Sequence, residues 1–151
     1  MRFKDNLPAG ARTFEARLPV QWADVDIAGI MYFPTYWRFA EYAEMEMFRE
    51  LGFNYATVFD ELDFWLPRVH AEAEYHAPAL MGDWLTMRTH LEKVGGSSIR
   101  WGTVIFNERT GEASAQLTLT VAAMDRTTKK SRPLPGKLRE ALLGALASTT
   151  P

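Results

Sequence analysis

The chain has 151 residues, 47% of them hydrophobic and 24% charged, with a formal charge of -2 and no cysteine. That composition excludes the disordered, fibrous and membrane-spanning classes and gives no electrostatic reason to expect a nucleic acid partner. Without cysteine there is no disulfide scaffold, thiolate zinc site or cysteine nucleophile, which fits a reducing compartment.

Met1 to Asp5 lacks the apolar core of a secretory signal, and no run reaches the ~18 apolar residues of a spanning helix, so a cytoplasmic protein with no membrane partner is expected. At this length one domain over residues 1–151 is expected. Residues 14–22 alternate, with Phe14, Ala16, Leu18, Val20 and Trp22 on one face, and predict a half-buried strand. Pro19 marks it as an edge strand or a bulge. In residues 34–51 the period changes: Tyr36, Phe39, Ala40, Ala43, Met47, Phe48 and Leu51 recur at three and four, which predicts an amphipathic helix begun near Pro34 and ended at Gly52. Alternation returns in residues 68–76, a predicted half-buried strand with Val69, Ala71, Ala73 and Tyr75 inward. Three more strands are expected over 83–94, 97–108 and 112–125, with turns at Gly95-Gly96 and Gly111, and a short amphipathic segment closes the chain from Gly136 to Leu146. One early helix followed by consecutive strands predicts an α+β class, an antiparallel sheet with the helix on one face, and not a Rossmann fold.

The segment from Trp22 to Pro34 carries Asp24 and Asp26 just ahead of the predicted helix. Unpaired N–H groups and the positive dipole end of that helix would polarise a carbonyl oxygen held near residues 32–36. Acyl transfer needs such a device together with a nucleophile or base, and Asp26 can be either; the pattern alone reads more readily as two turn-forming or helix-capping carboxylates. His70, Glu72, Glu74 and His76 share one strand face, a spacing that permits a metal but is equally a solvated face, so no metal site is assigned. Arg126, Lys129, Lys130, Arg132, Lys137 and Arg139 form an acid-free basic run, readable as a phosphate site or as a solvated connector. Of 19 aromatic residues, 12 lie between Tyr32 and Trp65, a density that reads as core or subunit interface and also offers walls for a flat acyl group.

The run Asp24-Val25-Asp26-Ile27-Ala28-Gly29-Ile30-Met31-Tyr32-Phe33-Pro34-Thr35-Tyr36, leading into a helix with Glu41, resembles the signature of 4-hydroxybenzoyl-CoA thioesterase-like hotdog proteins. Ala73 to Ala79 with Gly82-Asp83, and Asp125, Lys130, Arg132, Leu134 and Pro135, extend the resemblance over roughly residues 14–140. It implies a hotdog fold, an antiparallel sheet wrapped around one long helix, with sheets joined edge to edge in a homodimer or homotetramer and the active site at the dimer interface. It further implies an acyl-CoA thioesterase without a cofactor, in which Asp26 is the catalytic aspartate, acting as nucleophile or general base, the Phe33 backbone N–H is the oxyanion donor and Gly29 lets the backbone approach the thioester. Phe33 stands where many relatives have His, and the Val94 to Ser97 turn lacks the basic residues of the aromatic-acyl members, which shifts the expected CoA phosphate contacts to Arg100, Lys130 and Arg132. Tyr32 and Tyr36 are the expected walls for the acyl group, which the resemblance places nearer the aromatic-acyl branch. The competing readings are a hotdog dehydratase, whose catalytic His-Phe-Pro context is absent around His70, His76 and His90, and a non-catalytic acyl-thioester binding protein.

Overall fold

A computed structural model describes residues 12–146 of the chain; the N-terminal stretch from Met1 to Asp5 read above lies outside them. The strands are β1 (Thr13–Pro19), β2 (Arg68–Tyr75), β3 (Trp84–Val94), β4 (Ser98–Asn107) and β5 (Glu112–Ala122), and the helices are α1 (Thr35–Glu50), α2 (Val58–Glu61) and α3 (Gly136–Ala145). All pairings are antiparallel in the order β1-β3-β4-β5-β2, and α1 packs against β1, β3, β4 and β5. This is the expected α+β hotdog fold. Pro19 lies at the end of an edge strand, where its missing N–H breaks no ladder. The strand boundaries agree with the alternation to within three residues.

The apolar stripe of α1 is what the sheet wraps. Phe39, Ala43, Met47 and Phe48 are buried against Leu85, Met87, Leu91, Ile99, Trp101, Ile105 and Leu117, whose alternate positions point to the same face of β3, β4 and β5. At the end of α1, Gly52 takes φ +95°, with its own N–H bonded to the Arg49 carbonyl at 3.0 Å and the Phe53 N–H to the Phe48 carbonyl at 2.8 Å. A side chain there would oppose that left-handed turn. Among the described residues no helix is long and apolar enough to cross a membrane.

One element departs from its expected environment. β2 forms where predicted, yet Val69, Ala71 and Tyr75 are exposed and only Ala73 is partly covered. The cause is its position: β2 is the outermost strand beyond β5, and α1 roofs the strands on the other side of it. Its alternation therefore gives it a sticky face that this chain alone does not bury.

Candidate active site

Between β1 and α1 the chain folds back on itself. The Tyr32 N–H donates to the Asp24 carbonyl at 2.8 Å, Val25 pairs with Met31, and the Asp26 N–H donates to the Ile30 carbonyl at 2.9 Å. The turn closes through the Gly29 N–H on the Asp26 carbonyl at 2.9 Å, with Gly29 at φ +79°, a conformation that strains any other residue. This small hairpin ends at the start of α1, so residue 26 and residue 33 are held at the same end of the helix. A second loop supports it: the Met31 N–H donates to the Ala79 carbonyl at 2.8 Å, and Ile30 pairs with Leu80. Asp83 anchors that second loop, accepting from the Leu80 N–H at 2.9 Å, Asn107 at 2.8 Å and Arg109 Nε at 2.7 Å. The hydrogen bond from Arg109 is the largest of the effects that hold the Asp83 carboxyl down at about 2.

The two carboxylates of the hairpin have different surroundings. Asp24 is 3% exposed, accepts from the Gln21 N–H at 2.8 Å and is paired with Arg38, so its lone pairs are spent on structure. Asp26 is half-buried; its Oδ1 accepts the Ala28 N–H at 2.8 Å, and its Oδ2 accepts nothing among the described residues. That one bond fixes the carboxylate and leaves an oxygen free. The Phe33 N–H likewise has no acceptor among the described residues, while the N–H groups of Thr35, Tyr36 and Trp37 are used in the first turn. An open acceptor and an open donor at one end of α1 are the two groups that attack on a thioester carbonyl requires.

The walls are aromatic. Tyr32 and Phe33 are 51% and 60% exposed and meet edge to face, with ring centroids 5.5 Å apart. Phe33 meets Tyr75 of β2 at 6.1 Å, and Tyr36 lies under Tyr75 at 5.4 Å. Tyr36 is itself buried, which pushes its phenol above the ordinary value. Further along α1, from Trp37 onward, opens a cavity of about 390 Å³ lined by Trp37, Ala40, Glu41, Trp101, Leu117 and Leu119, among others. Trp37, Ala40, Glu41 and Glu44 recur at three and four along α1, so the cavity runs along one face of the helix, starting in the turn that follows Phe33.

The other expected residues lie elsewhere. Arg100, on β4, is paired with Glu92 at 2.7 Å. Arg132 donates to the Asp63 carbonyl at 2.7 Å and the Pro133 carbonyl at 3.0 Å, and Lys130 shares its loop, which pairs Ser131 with Met124. Met124 in turn pairs with Trp65, which places this loop with the segment after the C-terminal end of α1, about 24 Å along the helix from Asp26 by its 16 residues. One chain does not bring the two groups together. His70 bonds Glu72 at 2.9 Å, and no cluster of three or more metal-binding side chains occurs among the described residues. The charged group that the sequence reading passed over is Glu44. It lies on the apolar stripe of α1, 1% exposed, and is bonded by Arg68 and Tyr55. A single acid within a stripe that is otherwise apolar was the available signal.

Residues 20–142 match the thioesterase-like superfamily. The chain belongs to that family. It is thereby an enzyme of the thioester hydrolase class, and its relatives agree. It is 29% identical over 120 residues to the acyl-CoA thioester hydrolase YbgC of Escherichia coli, covering 77% of this chain and 85% of that protein. It is 30% identical over 122 residues to a 1,4-dihydroxy-2-naphthoyl-CoA hydrolase of Synechococcus, covering 77% and 80%. Among solved structures, a 1,4-dihydroxy-2-naphthoyl-CoA thioesterase from Synechocystis superposes with a TM-score of 0.81 at 23% identity, over 87% of this chain and 96% of that one.

Proposed function

We propose that this thioesterase works as a single hotdog domain in the cytoplasm, hydrolysing an aromatic acyl-CoA to the free acid and CoA with Asp26 as the attacking or water-activating group. The observation that carries the reading is that Asp26 Oδ2 and the Phe33 N–H, held at the same end of α1, both lack a partner among the described residues. The thioester carbonyl oxygen accepts from Phe33 N–H, so charge developing on it is met by a fixed donor at the positive end of the helix. Asp26 then either attacks the carbonyl carbon, expelling the CoA thiolate and leaving an anhydride that water opens, or takes a proton from the water that attacks. In both routes one water is consumed, and an acid and a thiol are released. Gly29 keeps the hairpin tight enough for the backbone to approach the thioester.

A second copy of the chain completes the site in this reading. The outer edge of β2 offers unpaired backbone groups beside exposed Val69 and Tyr75, a combination that is an aggregation liability unless it is covered. Pairing β2 with its counterpart would bury that edge. A partner could also bring Lys130, Arg132 or Arg100 to the CoA phosphates, which one chain holds away from its own Asp26. A homotetramer of such dimers would pair them through surfaces other than β2.

The aromatic preference rests on the walls formed by Phe33, Tyr75, Trp37 and Trp101, and on relatives whose names record an aromatic thioester. A flat rigid ring loses less freedom on binding there than an alkyl chain. The test is thiol release from a panel of benzoyl-CoA, phenylacetyl-CoA, acetyl-CoA and octanoyl-CoA. The expected result is kcat/KM about tenfold higher for an aryl thioester, equivalent to about 1.4 kcal/mol. Octanoyl-CoA ahead of every aryl thioester removes the aromatic assignment, and no thiol from any of them removes the hydrolase.

A further inference from the structure

Glu44 is the one carboxylate of α1 that the core encloses. Both of its oxygens accept from Arg68 Nη2 at 2.7 Å, and the Tyr55 hydroxyl donates to Oε2. Burial is the largest influence on Glu44 and pushes its carboxyl up, while Arg68 and Tyr55 act in the opposite direction. The arginine comes from the first residue of β2 and the tyrosine from the segment after α1, so three separate stretches of chain converge on one carboxylate. Arg68 cannot swing away without leaving that buried carboxylate to Tyr55 alone.

This clamp stands between two cavities. The first, of about 390 Å³, is the one that follows Phe33 along α1, and Arg68, Glu41 and Glu44 are part of its lining. The second, of about 370 Å³, is lined by Tyr55, Phe59, Trp65, Leu66 and Met124, and again by Arg68 and Glu41. Residue 44 is nine positions beyond Thr35, where α1 starts after Phe33 and Pro34, about 14 Å along the helix axis. An acyl group entering from Phe33 therefore meets Trp37 and Ala40 first and reaches Arg68 last. Behind Arg68 lies a second hollow, open to solvent and walled by apolar and aromatic side chains, which none of Asp26, Gly29 and Phe33 lines.

Building on the thioesterase reading, we propose that Arg68, locked by Glu44 and Tyr55, is the end wall of the acyl pocket and sets the length of acyl group the enzyme takes. The physical reason is desolvation. A methylene chain passing the guanidinium strips water from a charge and returns no hydrogen bond, whereas a chain that stops short buries itself against Trp37, Trp101, Leu117 and Leu119. With the wall removed, the two cavities become one apolar channel.

The test is calorimetric binding of S-alkyl-CoA thioethers from butyl to hexadecyl, which carry no cleavable carbonyl, with thiol release from the matching acyl-CoAs in parallel. In the wild type affinity rises with chain length and then stops rising. The double variant Glu44→Gln/Arg68→Ala, which removes the arginine without stranding a charge, continues to gain affinity beyond that length and binds dodecyl-CoA at least tenfold more tightly than the wild type does. Its kcat/KM ratio for dodecanoyl over octanoyl thioester rises by a similar factor, and Arg68→Lys retains the stop. A folded double variant with the wild-type length profile overturns the proposal, as does a wild type that shows no stop. If the thioethers show the stop and its removal but no acyl-CoA releases thiol, the wall stands and the hydrolase reading fails; if no thioether binds, both fail.

Discussion

Two carboxylates stand in opposite circumstances, Asp26 in the hairpin ahead of α1 and Glu44 in the third turn of that helix. Asp26 is half-buried and fixed by one backbone N–H, and its other oxygen accepts nothing among the described residues. Glu44 is 1% exposed, with both oxygens taken by Arg68 and one also by Tyr55. On the role proposed for Asp26, what suits a carboxylate to chemistry here is a lone pair left over after its position has been fixed. Asp24 repeats the lesson two residues from Asp26: it is buried and paired with Arg38, and it holds the hairpin's shape.

The largest effect of a substitution is expected at the clamp. Arg68→Met leaves Glu44 buried against Tyr55 alone and is expected to cost about 3 kcal/mol of stability, at the lower end for a broken buried pair because Arg68 is partly exposed. Urea unfolding measures it. The loss should shrink on acidification: without Arg68 the folded-state pKa of Glu44 rises further, protonated Glu44 carries no buried charge, and the deficit is greatest above that pKa. A loss that does not change with pH would mean that Glu44 is not the stranded group.

A smaller effect is expected at the loop that supports the hairpin. Arg109, with Asn107 and the Leu80 N–H, holds the Asp83 carboxyl down at about 2. Because the folded value lies below the unfolded one, the stability it contributes is present above the unfolded pKa, about 4, and is lost as pH falls toward 2. Asp83→Asn should cost about 2 kcal/mol near neutral pH and flatten the acid limb of a stability-against-pH curve. An unchanged acid limb would place the acid sensitivity elsewhere.

The smallest effect concerns the CoA phosphates. Lys130→Ala should raise KM for a CoA thioester several-fold with kcat little changed, the pattern of binding shared by ground and transition states, and the effect should weaken as salt rises. Arg132→Ala is the less clean variant, since Arg132 also holds the Asp63 and Pro133 carbonyls. Unchanged KM in both variants would move the nucleotide site away from this loop.

Period and punctuation made the fold legible. The switch from alternation to a repeat of three and four at Tyr36, and Gly52 at its end, marked α1, and Pro19 marked an edge. The hairpin proposed to carry the chemistry was legible through Asp24, Asp26 and Gly29 and the family they resemble. Two features were not, for one physical reason: each depends on residues far apart in sequence. The exposure of β2 follows from its place at the sheet's edge, which its own alternation does not encode. The Glu44 clamp needs Tyr55 and Arg68, 11 and 24 residues away, and spacing alone does not pair them.

The most direct test of the central claim is thiol release by the wild type, Asp24→Asn and Asp26→Asn on the CoA thioester that the wild type cleaves fastest, with the Tm of each protein measured alongside. The account predicts that Asp26→Asn keeps its Tm and loses turnover by about a hundredfold or more, while Asp24→Asn loses stability and retains more of its turnover. A folded Asp26→Asn protein with more than about a tenth of wild-type turnover would contradict it.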